Sequence, residues 1–408
     1  MDNNRIAGMA ESDIAADYER RRLGQLSDQQ LVASVADIVG VPRAEVVGNR
    51  FSFVLHAPLE LMARAALLPY VAPEQRERAR LRIAAIAAMY QASGPPVAPP
   101  KAADYDSLAG AAGVLADAID AGDLDTIDSA AAWLGHRARP DQIVGLLSGA
   151  AVDRLSAAGH GNIYFALLSR TQPRGLPMHM LRHPARALGL GSEHRIHVPP
   201  AGTADATRLL LNRLAEVDVI GPPPSFFIAP MVEHAQDGGA FAGLLEPDGT
   251  FVAPAKTPFE LQRFAAQAML QGPPDQAPYG WTHCLTLAQA PLLLAAAQPG
   301  RDPAAAIYVA TAYLAAHWAG LGDGHVDLTY EPADPGPDAV TRLATAASVN
   351  HDAHRVKYTL ACLDAVATDP SHRSLYLAAA SYLNGWWDAR PDAADPLGAV
   401  TPGLVASG

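Results

Sequence analysis

Apolar residues recur along this chain at three- and four-residue intervals, the period of a helix face rather than of a strand. Residues 13–23 are charged and helix-favouring, and Ser27-Asp28-Gln29-Gln30 has the pattern of a capping box at a second helix start. Pro73-Glu74-Gln75 opens a run through Met89, with Ile83, Ile86 and Met89 at helical spacing and an arginine-rich outer face. Further helices are expected over 107–121, 124–136, 141–157 and 163–169, and again over 257–270, 282–297, 303–319, 338–347, 351–367 and 371–389.

Two stretches break this rhythm. The run Gly94-Pro95-Pro96-Val97-Ala98-Pro99-Pro100 reads as a stiff extended connector, because consecutive prolines favour polyproline geometry. Residues 171–256 carry Gly and Pro clusters around one clear helical segment, 205–217, with Ile220 and 225–228 as candidate short strands. The expectation is an all-α fold, a multi-helix globular array with a Pro/Gly-rich irregular middle segment. It forms a single domain over residues 1–408, with a possible subdivision at the connector 94–104. No sustained heptad and no fixed-period repeat is present, which argues against a coiled coil or solenoid.

Composition narrows the partners. Lys plus Arg number 30 against 42 Asp plus Glu, a net charge of −12. Such a chain, with no long basic run, is poorly suited to gripping nucleic acid or anionic lipid. Its two cysteines, Cys284 and Cys362, cannot form a disulfide framework or a Cys-rich zinc module. The start, MDNNRIAGMAESD, lacks the basic-then-apolar pattern of a secretion signal. The apolar stretch 304–321 is alanine-rich and holds His317, so a buried helix explains it better than a membrane span. A cytoplasmic location is expected.

Familiar catalytic signatures are missing: no G-x-S-x-G, no P-loop, no G-x-G-x-x-G opening a helix, no H-E-x-x-H and no helical Glu-x-x-His pair. What remains is histidine on apolar helices. His56, His160, His283 and His354 each lie at or near the start of one. Helix N-termini disfavour imidazolium and so favour the neutral imidazole that binds metal. One such histidine alone is more often a core or cap residue; four in one kind of setting make a shared site worth testing. Flanking small residues, Ala57, Gly159, Gly161 and Gly280, permit close helix approach. Lys357 follows His354 by three residues, on the same helix face. Its stem either lies along the core with its ammonium reaching water, or its amine is desolvated, neutral and able to form a carbamate with carbon dioxide. Imidazole with an oxygen donor suits iron, zinc, copper or nickel.

At these residues the chain resembles the questin oxidase-like family, helical proteins of fungal and bacterial aromatic polyketide pathways. The likeness rests on His56 followed by Leu59-Glu60-Leu61, on Gly159-His160-Gly161-Asn162-Ile163-Tyr164, on Gly280-Trp281-Thr282-His283-Cys284-Leu285-Thr286, and on His354-Arg355-Val356-Lys357 with Thr359, Ala361 and Cys362. These blocks run in order from residue 51 to about 365; the middle segment has no matching block. The resemblance implies an Fe(II)-dependent oxygenase that cleaves a ring of a polycyclic aromatic or quinone intermediate, in Baeyer–Villiger-like or dioxygenase fashion. It implies His56, His160, His283 and His354 as metal ligands with Lys357, carbamylated or not, as a further one, and favours His354 over His351 by the spacing to Lys357. A reductant such as NADPH is left open. His354 and Lys357 are then the catalytic candidates.

Trp281, Tyr164, Tyr358 and Phe53 are candidates to line a flat pocket, against a more ordinary role as core aromatics. His317 and His351 are candidates to support the ligands from behind. His179, His183, His194 and His197 are expected to be solvated, as are Arg174, Arg182 and Arg186 unless these help hold an acidic substrate. Pro58 is unexpected in an ongoing helix but tolerable in a first turn. The main alternative is a metal-free helical binding or scaffold protein for a hydrophobic ligand or partner. A metal-independent oxygenase is a second, and a terpene cyclase is disfavoured by the lack of an aspartate-rich motif.

Overall fold

The computed structural model describes residues 5–44, 51–155, 159–169, 178–191, 194–202, 210–223, 228–253, 257–272, 281–297, 303–322 and 326–389. Among them are 17 α-helices and no strand. The N-terminal part holds α1 (Ile14–Arg20), α2 (Asp28–Val39), α3 (Phe51–Leu67) and α4 (Arg76–Gln91). The centre holds α5 (Leu108–Ala121), α6 (Leu124–Arg137), α7 (Pro140–Ala151), α8 (His160–Ser169), α9 (Arg182–Gly189), α10 (Leu210–Ala215) and α11 (Ile228–Asp237). The last part holds α12 (Thr257–Gln271), α13 (Thr282–Ala296), α14 (Ala304–Leu321), α15 (Ala339–Val349), α16 (Ala353–Thr368) and α17 (Arg373–Asp388).

Local chemistry sets several of these ends. Ser27 Oγ accepts from Gln30 N at 3.2 Å and Gln30 Oε1 accepts from Ser27 N at 2.8 Å, so the expected capping box closes. Asp123 and Ser107 cap α6 and α5 by accepting from Thr126 N and Gly110 N. Gly122, in the left-handed region at φ 67°, ends α5 where a side chain would be strained. Proline at the first position starts α7.

One continuous apolar core joins residues from Ile6 to Trp387, with members on both sides of the proline connector. The connector itself is stitched down: Val97 N donates to Pro42 O, Ala44 N to Pro95 O, and Arg182 to Ala98 O. Helix α14 runs through this core with nearly every described side chain buried. Among the described residues no helix is long and apolar enough to cross a membrane.

Four expectations are corrected. Arginines 76–82 do not make an outer face: Arg80 and Arg82 are buried, because their guanidinium groups reach Asp28, the carbonyl of Leu26 and the carbonyl of Val349. Ile220 is not in a strand; its N–H donates to Ala319 O, and Ile228 begins α11. The irregular middle contains α9 and α11, whereas the helix expected at 205–217 is described only as α10, its first part lying outside the described residues. Arg182 and Arg186 are not solvated: both pair with the buried Asp128. His183 is likewise held by Val39 O and the Tyr90 hydroxyl. His197 is exposed and His194 faces Glu233, while Arg174 and the side chain of His179 fall outside the described residues.

His317 sits on α14, fully buried, with its Nε2 2.6 Å from the Tyr313 hydroxyl and its ring against Trp281. Burial holds its imidazole down at about 3. The unfolded chain takes up a proton near pH 6.5 that the folded chain refuses until about pH 3, so stability falls as pH drops through that window. Between pH 6.5 and 5 the wild-type unfolding free energy should fall about 2 kcal/mol further than that of His317→Gln, measured by urea titration; parallel pH profiles would contradict this.

Candidate functional site

Helices α3, α8, α13 and α16 pack in a closed cycle: α3 on α8, α8 on α13, α13 on α16, and α16 back on α3. Each carries one histidine into the centre, and the imidazoles follow the same cycle. Ring centroids are 4.4 Å apart for His56–His160, 5.8 Å for His160–His283, 5.3 Å for His283–His354 and 4.7 Å for His354–His56. Residues up to 298 positions apart in sequence (354 − 56) thus share one cluster, with His56 and His160 buried and His283 and His354 half-buried.

Backbone position explains part of this. His160 is the first residue of α8, and His283 and His354 are the second residues of α13 and α16, so three rings sit in first turns as expected. His56 differs: it is the sixth residue of α3, beyond the reach of a helix-end dipole. Pro58 accordingly lies inside the helix rather than in its first turn, where it removes one backbone rung. The expected close approach at small residues holds at Gly159 and Gly161. A Cβ would fall 2.3 Å from Leu287 Cδ2 at the first and 2.7 Å from Leu188 Cδ2 at the second, and Gly159 also has φ 70°.

His160 Nε2 and His56 Nε2 are 2.8 Å apart. That distance suits a hydrogen bond, in which one nitrogen must be unprotonated. It also suits two ligands at right angles on one ion, because metal–nitrogen bonds of about 2.1 Å separate such nitrogens by about 3 Å. Among the described residues no group of three or more His, Cys, Asp or Glu side chains is arranged to hold a metal ion as it stands. Four packed helices fix the ring spacings, while the terminal ring torsion of histidine is broad, so turns of the rings alone would re-aim their nitrogens.

Charged groups behind the rings form a chain of their own. Asp352 caps α16, accepting from His354 N at 2.7 Å, and lies 3.1 Å from His354 Nδ1, leaving Nε2 to face the cluster. Its other oxygen accepts from Trp387 Nε1 at 3.2 Å. Burial alone would raise the Asp352 carboxyl, but the bond to His354 and its charge prevail and hold it at about 2. Burial, with Lys357 adding to it, pushes the His354 imidazole down against the opposing pull of Asp352.

Four residues beyond His56, on the same face of α3, Glu60 accepts from Arg64 Nε at 2.7 Å. Arg64 is fully buried and donates onward to Ser348 O and Asn350 O, both at 2.7 Å. Arg82 adds a bond to Val349 O at 2.9 Å. Two buried arginines thus clamp the turn between α15 and α16 that delivers Asp352 and His354. Glu60, Arg64, Arg82 and Asp352 went unassigned in the sequence. The available signals were a glutamate and an arginine at successive four-residue steps from His56, and an aspartate before α16.

Lys357 is buried, and its Nζ has no hydrogen-bond partner among the described residues. Burial lowers its ammonium to about 7, with Asp352 and Glu60 partly opposing the shift. The snorkelling alternative is therefore excluded for this side chain. His351 lies near Asp352, whose carboxyl its charge helps to lower. His317 contacts Tyr313 and Trp281 rather than the four rings, a core histidine and not a support for them. The aromatic candidates are core residues too: Tyr164 donates to Met180 O at 2.7 Å, Trp281 packs on His317 and Trp318, and Tyr358 is fully buried. The side chain of Phe53 lies outside the described residues. Both cysteines are buried, and neither is in a disulfide.

No family model, curated protein or solved structure matches the chain at a significant level.

Arg64→Met would leave the Glu60 carboxylate buried without its partner and uncap two carbonyls. It should cost about 3–5 kcal/mol of unfolding free energy in a denaturant titration, with Arg64→Lys restoring only part because it cannot fork to three acceptors. A loss below 1 kcal/mol would show that the clamp is not structural.

Proposed function

We propose that this chain is a mononuclear non-haem iron oxygenase of the questin oxidase-like kind, acting with dioxygen on a polycyclic aromatic or quinone substrate. The observation that carries the reading is the convergence of four imidazoles from four helices, with a buried amine one turn away and a chain of buried charged groups behind the rings. Buried polar groups without a structural purpose are costly, and four neutral donors around one point match what iron accepts. The substrate class rests on the resemblance in the histidine blocks.

His56, His160, His283 and His354 would hold the ion, with Lys357 as a fifth group. Iron, when bound, supplies a path for electrons between an electron-rich ring and dioxygen. The chain's own contribution is orientation and exclusion of water. Asp352 fixes the His354 ring by its Nδ1, and the apolar helices keep bulk solvent from the cluster. The Lys357 amine, as a free base, can add to the carbon of carbon dioxide and release a proton. The resulting carbamate is an anionic oxygen donor that would offset part of the metal's charge, which four neutral imidazoles cannot do.

A metal-free helical binding protein is the second reading, favoured by the direct His56–His160 contact. The two separate on metal analysis of untagged protein reconstituted anaerobically with ferrous iron. The oxygenase reading expects one iron per chain, its loss in each of His56→Ala, His160→Ala, His283→Ala, His354→Ala and Lys357→Ala while the fold persists, and partial rescue of Lys357→Ala by a small added carboxylate. Asp352→Asn should weaken metal binding about 10–100-fold through the orientation of His354. Folded wild-type protein that takes up no iron, or variants that retain it, would leave the scaffold reading in place.

A further inference from the structure

The four-histidine cycle accounts for the first turns of α8, α13 and α16, but not for what these helices do one and two turns further on. A pocket lies there, lined by Ile163, Ala166 and Leu167 of α8, Thr286, Gln289, Ala290 and Leu293 of α13, and Lys357, Leu360 and Ala361 of α16. The register is the same on all three helices. Counting from the histidine of each, lining residues fall at +3, +6 and +7: Ile163, Ala166 and Leu167; Thr286, Gln289 and Ala290; Lys357, Leu360 and Ala361. On a helix +3 and +7 stay near the histidine's face while +6 falls about 120° round from it. The pocket therefore runs along a stripe of each helix beside the faces that bear His160, His283 and His354.

Its walls are apolar in effect as well as in composition. Thr286 Oγ1 donates to Thr282 O at 2.9 Å, and Gln289 Nε2 donates to Ala361 O at 3.0 Å, so both polar side chains turn donors back to helix carbonyls. Lys357 is the remaining polar lining residue, and its buried Nζ makes no hydrogen bond among the described residues. Leu167 and Leu293 are half-buried, while Ile163, Ala290 and Lys357 are buried, so the pocket leads from the surface inward toward the lysine. A free volume of about 30 Å³ gives room for about two water-sized molecules. A fused aromatic ring system does not fit that volume, while apolar walls of this kind favour small apolar gases.

We propose that this cleft between α8, α13 and α16 admits dioxygen to the Lys357 end of the histidine cluster by a route too narrow for the ring substrate. The inference rests on the oxygenase reading for its purpose, but the gas-binding cleft is testable without iron. Crystals of the wild-type protein pressurised with krypton should show a krypton peak between Ala166, Ala290 and Leu360. Ala290→Leu, which fills the cleft, should abolish it. Leu167→Phe, at the half-buried outer end, provides a second variant should the first fail to fold, and should weaken the peak.

In the iron-loaded enzyme both substitutions should raise the KM for dioxygen about threefold or more, with kcat at saturating oxygen and the KM for the organic substrate unchanged. Absence of krypton from the wild-type cleft, or a dioxygen KM indifferent to both substitutions, overturns the passage while leaving the oxygenase standing. Krypton in the cleft of a protein that takes up neither iron nor oxygen overturns the oxygenase and with it dioxygen as the occupant.

Discussion

The Arg64 guanidinium, removed from water on a helix that also bears His56, has to find acceptors within the fold. It finds Glu60 one turn back and the carbonyls of Ser348 and Asn350 across the core. A buried charge left unpaired is worth several kcal/mol of instability, so this contact fixes the register between α3 and the turn entering α16. Asp352 then caps α16 and takes the Nδ1 side of His354. The position of one imidazole relative to another is thus set through a chain of satisfied polar groups rather than by the loose packing of apolar surfaces.

The other two rings arrive by a different device. His160 and His283 begin α8 and α13, and the turn before α8 passes close to the Leu287 side chain of α13 at Gly159, whose φ of 70° favours glycine. Close backbone approach and a polar clamp together produce four rings in a cycle, and a lysine on the same face as His354 is drawn into the same interior. Its amine, deprived of water, loses much of its hold on a proton. The chemistry proposed for the site follows from this desolvation and from the burial that also pushes the His354 imidazole down.

The all-α class, most helix spans and the Ser27 cap are legible in the sequence because they depend on spacing within a turn or two. The four histidines and Lys357 stand out for a related reason: polar residues are conspicuous on apolar helices. Other features are decided far away along the chain. Arg182 and Arg186 look solvated until Asp128 is placed beside them, and Arg80 and Arg82 look like a surface face until the carbonyls of Leu26 and Val349 meet them. Glu60 and Arg64 carry no visible purpose without the turn 348–350. Nearness in sequence to a histidine leaves Trp281, Tyr164 and Tyr358 open to a pocket-lining or a core role, and all three are buried in the core.

The central claim is that the four imidazoles close around one ion. Anomalous diffraction at the iron edge, from crystals of untagged protein loaded anaerobically with ferrous iron, tests it most directly. A single strong peak is expected within bonding distance of nitrogens from His56, His160, His283 and His354. A site with no iron peak and an intact His56–His160 hydrogen bond, or iron bound elsewhere on the molecule, would contradict it.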